Sequence, residues 1–291
     1  MKVYNLGSLN VDYVYSVDHF VEAGETVSSN KMEIFPGGKG LNQSVALARA
    51  GADAVHGALV GDGGEFLAGT LKDSGVDVSK LKRAAGSPGH AIIQLNKNGE
   101  NCIMIYPGTN RALDAGYVEG FLSDAESGDI LLVQNETNCI DVAFRTAKEK
   151  GMKIAFNPSP CDEKILKLPL DLVDIWFCNE TEGKILFGSD EPDKICELFR
   201  KGRPDSTLIL TLGESGSVYC GPDATFRQPV YKAKAVDTTA AGDTFTGYFL
   251  ASLCRGASPR EAMDIASRAS AITVSRMGAS SSIPYIDEIE K

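Results

Sequence analysis

The stretch DTTAAGDTFTGYFLASLCRG, Asp237 to Gly256, joins a small-residue turn to an apolar run and places one carboxylate at the join. Ala240 and Ala241 leave their backbone N–H groups uncovered, and glycine at 242 would let the chain turn tightly ahead of a helix. Such amides form an anion cradle, and a helix N-terminus adds about half a positive charge behind it. Asp243, in the first turn, is predicted to stand there as a carboxylate able to accept a proton. An aspartate at this position also serves as an ordinary helix cap, and the local spacing leaves both roles open. The helix should stop at Gly256. Ser258-Pro259-Arg260-Glu261 then has the spacing of a capping box, with Ala262, Ile265, Ala266, Ala269 and Ile272 on one buried stripe of a following helix.

Upstream of this stretch, short β-rich runs alternate with helical ones. KVYNLGS, AVHGALVG, DILLVQ, KIAFNP, DIWFCNE and TLILTLG are separated by LNQSVALARAGA, EFLAGTLKDSGV, DVAFRTAKEKG and KICELFRKG. That alternation predicts a three-layer α/β/α fold with a mainly parallel central sheet, and the all-apolar strands fit a sheet buried on both faces. Two segments, about 11–36 and 88–106, break the rhythm as extended chain, the second with a hairpin turn at Asn98-Gly99. Together they predict a small antiparallel sheet beside the main body. GSVYCG reads as a further hairpin. No linker or repeat divides the chain, so a single domain over 1–291 is expected, with the small sheet inserted in it.

Composition narrows the function. The chain has 291 residues, 43% of them hydrophobic, with 39 acidic against 29 basic residues. A formal charge of −10 spread along the surface repels phosphate backbones and argues against nucleic acid as a partner. No apolar run is long enough to span a bilayer, and MKVYNLGS lacks the plan of a signal peptide, so a cytoplasmic protein without membrane partners is expected. The seven cysteines are scattered and odd in number, which suggests reduced core residues. His19, His56 and His90 are too dispersed for a zinc site or a Ser-His-Asp triad.

Other polar positions interrupt the apolar pattern. In FPGGKGLNQSVALARAGA, Gly37, Gly38 and Gly40 precede a helix, with Lys39 and Asn42 among bare amides. This is neither a Walker loop nor a dinucleotide fingerprint, and a tight strand-to-helix turn explains it as well as binding does. In CNETEG, Asn179 and Glu182 lie three apart on one helical face at a strand end, where ligands bind in α/β sheets. They suit magnesium held partly through water, but an exposed asparagine cap with a solvated glutamate is the simpler reading of the same residues. TLGESG, Thr211 to Gly216, is a Gly-rich strand end that could be only a turn. Asn10 and Asp12 share one face of an extended strand and, with Glu136, supply the mixed donors and acceptors that a polyol requires.

These motifs occur in the order found in the ribokinase-like sugar and nucleoside kinases, which the chain resembles over nearly its full length, from GSLNVD to GASSSIP. GGKGLNQSVALARAGA and the more specific VDTTAAGDTFTG carry the resemblance, supported by NETE and TLG. It implies an ATP-dependent carbohydrate kinase acting on the primary hydroxyl of ribose, with deoxyribose, a ketohexose or a nucleoside as alternative acceptors. By the same resemblance Asp243 is the base, Ala240, Ala241 and Gly242 form the anion hole, and Asn179 and Glu182 organise magnesium through water. Asn179, Thr211, Gly213, Gly216 and Gly242 border the nucleotide. The sugar would meet Asn10, Asp12, Gly38, Lys39, Asn42, Glu136 and Asp243, with Ala91 and Ile93 above it. Potassium would be held by Asp237, Thr239, Thr273, Arg276, Gly278 and Ser282, mostly through carbonyls. The rhythm-breaking segments would form a lid that also pairs two subunits. Thr109 and His90 depart from the family's usual residues, the latter beside Ala91. A dehydrogenase would need a glycine fingerprint that NLGSLNVD lacks, and a non-catalytic sugar-binding protein has no use for Asp243 behind an amide cradle.

Overall fold

A computed structural model describes residues 1–289, so the last two residues of the expected 1–291 unit lie outside the described residues. The chain runs β1 (Val3–Leu6), β2 (Asn10–Val17), β3 (Lys31–Gly37), α1 (Lys39–Arg49), β4 (Ala54–Gly57), β5 (Leu59–Val60), α2 (Glu65–Asp73), β6 (Lys82–Arg83), β7 (Gly89–Asn96) and β8 (Asn101–Tyr106). It continues through α3 (Ala115–Phe121), β9 (Ile130–Gln134), α4 (Ile140–Glu149), β10 (Lys153–Asn157), β11 (Ile175–Asn179), α5 (Glu180–Phe187), α6 (Pro192–Gly202) and β12 (Thr207–Thr211). Last come β13 (Ser217–Cys220), β14 (Thr225–Gln228), α7 (Ala241–Cys254) and α8 (Pro259–Val274).

Eight strands form the main sheet in the order β14-β13-β12-β11-β10-β9-β1-β4, parallel except where β13 and β14 fold back at one edge. Alternate residues feed two separate cores. Val3, Ile130, Leu132 and Ile209 pack under α1, α7 and α8, whereas Leu6, Leu131, Val133 and Leu208 pack with α3, α4 and α6. Burial on both faces is why these strands are apolar at every position.

A smaller sheet, β3-β2-β7-β8, stands beside the main one. The antiparallel pairs β2·β3 and β7·β8 are joined through a parallel pairing of β2 with β7, and the second pair turns at Asn98-Gly99. Three residues separate the end of β1 from the start of β2, so the small sheet is anchored at the C-terminal edge of the main one.

Helix α7 is buried from Asp243 to Ser252, enclosed by α1 and α8. A Cβ on Gly247 would lie 2.4 Å from Ala46 Cβ and 2.8 Å from the Leu47 nitrogen, so α7 and α1 meet almost backbone to backbone. α8 begins with the expected capping box of Ser258 and Glu261. Among the described residues no helix is long and apolar enough to cross a membrane. All seven cysteines are free, but only Cys178, Cys196 and Cys220 are buried. Cys102 sits on the exposed edge strand β8, contrary to the expectation of core positions throughout, because a hairpin edge needs no apolar partner there.

Candidate active site

Asp243 does not cap its own helix. The N-cap of α7 is Ala240, which makes no side-chain capping bond, and the Asp243 carboxylate is spanned by α1 instead. Its Oδ2 accepts from Asn42 Nδ2 at 3.0 Å and its Oδ1 from Gln43 Nε2 at 2.8 Å. The tight turn ahead of α7 is made by Ala240 in the left-handed region, φ 62°, and not by Gly242 as its residue type suggested. Gly242 lies inside the first helical turn, and a Cβ there would meet nothing within 4 Å. Its lack of a side chain therefore keeps the space before the helix clear. The amides of that first turn are ones an α-helix leaves without intrahelical partners.

The second half of the site grows from β1, β2 and the start of α1. Gly38 takes φ 94°, which turns the chain from β3 into α1. A Cβ on Gly37 would fall 2.0 Å from an Asp12 carboxylate oxygen, so the glycine makes room for that side chain. Glu136 follows β9, accepts the Lys39 backbone N–H at 3.0 Å, and takes a short hydrogen bond from the Ser8 hydroxyl. Burial pushes the Glu136 carboxyl up, against the pull of the Lys39 ammonium and those hydrogen bonds. Asp12 is pushed up to about 7, first by burial and then by the Glu136 charge. Asn10 is held by Asn110, whose Nδ2 donates to Asn10 Oδ1 at 2.7 Å while its Oδ1 accepts the Leu9 N–H at 2.9 Å.

Ala91 pairs with Asp12, and Ile93 with Val14, so both lie on the face of the small sheet that carries Asp12. His90 pairs with Val11 on the opposite face, between the Tyr13 and Tyr106 rings, and is thereby removed from that side. Thr109 is buried, its hydroxyl donating to the Leu59 carbonyl at 3.0 Å. Neither departure touches the Asp12 face.

A cavity of about 210 Å³ opens beside Asp243. Lys39, Asn179, Glu182, Thr211 and the turn from Ala240 to Asp243 line it, at the C-terminal ends of β11 and β12. Asn179 and Glu182 form a reciprocal capping box, Glu182 N–H to Asn179 Oδ1 at 2.9 Å and Asn179 N–H to Glu182 Oε2 at 3.0 Å. Glu182 is nevertheless buried rather than solvated, because α5 starts inside the cleft. Burial raises its carboxyl, with the Asn179 amide, the Lys39 ammonium and the Ser159 side chain opposing. Burial by itself would lower Lys39; the carboxylates of Asp243, Glu136 and Glu182 outweigh it and hold the ammonium above its usual range. Gly213 and Gly216 both have positive φ in the turn after β12, near Thr211 but outside the cavity lining.

The expected cation ligands gather behind the turn. Asp237 accepts from the N–H of Thr239 at 2.9 Å and of Gly278 at 3.0 Å. Burial raises its carboxyl, but those bonds outweigh this and leave it below the usual range. The Thr273 hydroxyl meets that of Thr244 at 3.0 Å, and Ser282 is buried with its hydroxyl on the Ala279 carbonyl. The Arg276 guanidinium is paired with Glu288 at 2.6 Å and carries no oxygen, so only the backbone carbonyl of this residue could face a cation. This all-oxygen set has the hardness an alkali cation requires. The buried Glu182 carboxylate likewise offers oxygen to a divalent ion, although among the described residues no group of three or more His, Cys, Asp or Glu side chains is assembled to cage one.

Sequence reasoning missed Gln43, Ser8 and Asn110, which hold Asp243, Glu136 and Asn10. Gln43 was visible only as the residue after Asn42 on a helix. Its signal is burial of a polar side chain, which a linear pattern does not display.

The profile of the pfkB family carbohydrate kinases matches residues 2–286. The chain is 35% identical to the ribokinase of Haemophilus influenzae over 293 residues, 97% of this chain and 95% of that protein. The crystal structure of ribokinase from Cryptococcus neoformans var. grubii in complex with ADP superposes with a TM-score of 0.88 at 32% identity, covering 99% and 98% of the two chains. That of Arabidopsis thaliana ribokinase complexed with ribose and ATP superposes at 0.86 and 25% identity, covering 99% of this chain and 97% of that one.

Proposed function

The chain belongs to the pfkB family of carbohydrate kinases, and from that premise we propose that it transfers the terminal phosphoryl group of ATP to the primary hydroxyl of D-ribose, giving ribose 5-phosphate and ADP. The observation that carries the reading is the position of Asp243, a buried carboxylate in the first turn of α7 that lines the cavity and is held by Asn42. The sugar oxygen forms a bond to phosphorus as the bond to the ADP oxygen breaks, and the hydroxyl proton passes to Asp243. Transfer of this kind needs in-line positioning and charge neutralisation more than a strong base.

Asn10, Asp12, Gly38, Lys39, Asn42 and Glu136 would hold the sugar, with Ala91 and Ile93 covering it. Ala240, Ala241 and Gly242 would receive the phosphoryl charge at their amides, and Thr211, Gly213 and Gly216 would border the nucleotide. Magnesium near Asn179 and Glu182 would neutralise the phosphates. Potassium at Asp237, Thr239, Thr273, Arg276, Gly278 and Ser282 would brace the turn from behind. The small sheet would act as a lid, since water competes with the sugar as acceptor, and its exposed edge would pair two copies of the chain. With ATP as its phosphoryl donor, the chain would act in the cytoplasm.

A related pentose or ketose remains the second reading, because loss of one hydroxyl changes none of these residues in kind. ATP consumption measured against ribose, deoxyribose, fructose and nucleosides tests the choice. Ribose should give the highest kcat/KM, and any other acceptor preferred by about tenfold would overturn it.

A further inference from the structure

We propose that Gln43, locked by Gln134 and Asn5, is a positioning residue that fixes the Asp243 carboxylate for proton abstraction; this rests on Asp243 being the base. Gln43 and Gln134 have no exposed surface, nor does Asn5. The chain of hydrogen bonds has only one consistent direction. Asn5 Nδ2 donates to the Gly40 carbonyl at 2.8 Å, which can only accept, so Asn5 Oδ1 must face Gln134. Gln134 Nε2 then donates to Asn5 Oδ1 at 3.0 Å and to Gln43 Oε1 at 2.6 Å. Gln43 must therefore turn its Nε2 to Asp243, reached at 2.8 Å.

Both ends of the chain are acceptors without protons, a backbone carbonyl and a carboxylate, so no amide can flip without losing a bond. Gln134 Oε1 is left buried with no partner, which means its orientation is dictated by what its amide nitrogen must donate. Asn42 restrains Oδ2, and its own Oδ1 is buried without a partner. Gln43 is tied at both ends. Both of its polar atoms are consumed in holding one carboxylate oxygen, which fixes the plane of the carboxylate and supports its charged form.

The test compares Gln43→Met, similar in length without a donor, with Asp243→Asn and the unaltered enzyme. Gln43→Met should lower kcat about ten- to a hundredfold, the cost of a base displaced by about an ångström, with the KM for ribose changed less than about threefold. Its kcat–pH profile should show the acid limb moved to higher pH, because the carboxylate has lost a donor favouring its charge. The other charged groups facing Asp243 are the Lys39 ammonium from α1, the Glu136 carboxylate after β9 and Glu182 across the cavity on α5; all stay in both proteins, so a difference between the profiles belongs to the Gln43 contact. If Gln43→Met does not fold, Gln134→Met, which leaves Gln43 present but unanchored, should show the same two changes at smaller size. Unchanged kcat and limb, or a fall in kcat matched by the loss of ribose binding with the limb in place, would overturn the proposal. Full turnover in Asp243→Asn would instead overturn the base assignment.

Discussion

Asp12 carries the clearest titration signature in the site. Its pKa of about 7 lies above the ordinary 3.8 because the fold buries it beside Glu136. The folded protein therefore binds a proton that the unfolded chain releases. The contribution to stability is complete below about pH 4 and is lost as pH rises through about 7. Unfolding midpoints of Asp12→Asn should vary less across that window than those of the unaltered protein; parallel curves would mean that the site relaxes enough to solvate the charge. Sugar hydroxyls donating to Asp12 favour its ionised form, so ribose affinity should strengthen as pH rises through 7, and this trend should vanish in Asp12→Asn. The type of residue at 12 was legible in the sequence, as was its shared face with Asn10. Its unusual pKa was not, because the Glu136 charge that contributes to it arrives from 124 residues further along the chain.

At the scale of elements, the site is the junction of two helix N-termini. α1 delivers Lys39, Asn42 and Gln43, α7 delivers Asp243, and Gly247 sets how closely the two helices approach. Gly247→Ala should lower stability by about 1–3 kcal/mol through overpacking against Ala46, and should lower kcat by pushing the Asp243 end of α7 away from Asn42 and Gln43. An unchanged melting temperature would show that the helices part at no cost. Both helices were readable as periodic apolar runs closed by Gly51 and Gly256. The turn that launches α7 was misread at one residue, because glycine is the usual occupant of left-handed backbone and here an alanine takes it. With 240 holding the strained conformation, 242 is free to be glycine for the sake of open space.

At the scale of the molecule, the small sheet presents an unpaired edge. Ile103, Met104, Ile105 and Tyr106 on β8 are about half to two-thirds exposed, as are Met32 and Ile34 on β3 at near half. Runs of exposed apolar side chains on edge strands mark an association surface. A second copy of the chain covering it would explain why the small sheet carries so many apolar side chains on its edge strands. Met104→Glu should then reduce the mass measured by sedimentation to that of one chain of 31.0 kDa, with raised KM for ribose as the lid loses its brace. A single-chain mass for the unaltered protein at high concentration would sink the pairing.

The sequence by itself determined the layered fold, the order of strands and helices, the inserted sheet and the family, since these depend on local periodicity, turn chemistry and motifs read in order. It also named Asp243 while leaving its role divided between cap and base. Only the tertiary structure showed that it does not cap α7, by bringing Asn42 and Gln43 to the carboxylate from 201 and 200 residues away. Hydrogen-bond partners, burial of charge and the orientation of an amide are properties of distances across the fold. A linear pattern carries the residues that can make such contacts, and the packing of α1 on α7 selects which of them do.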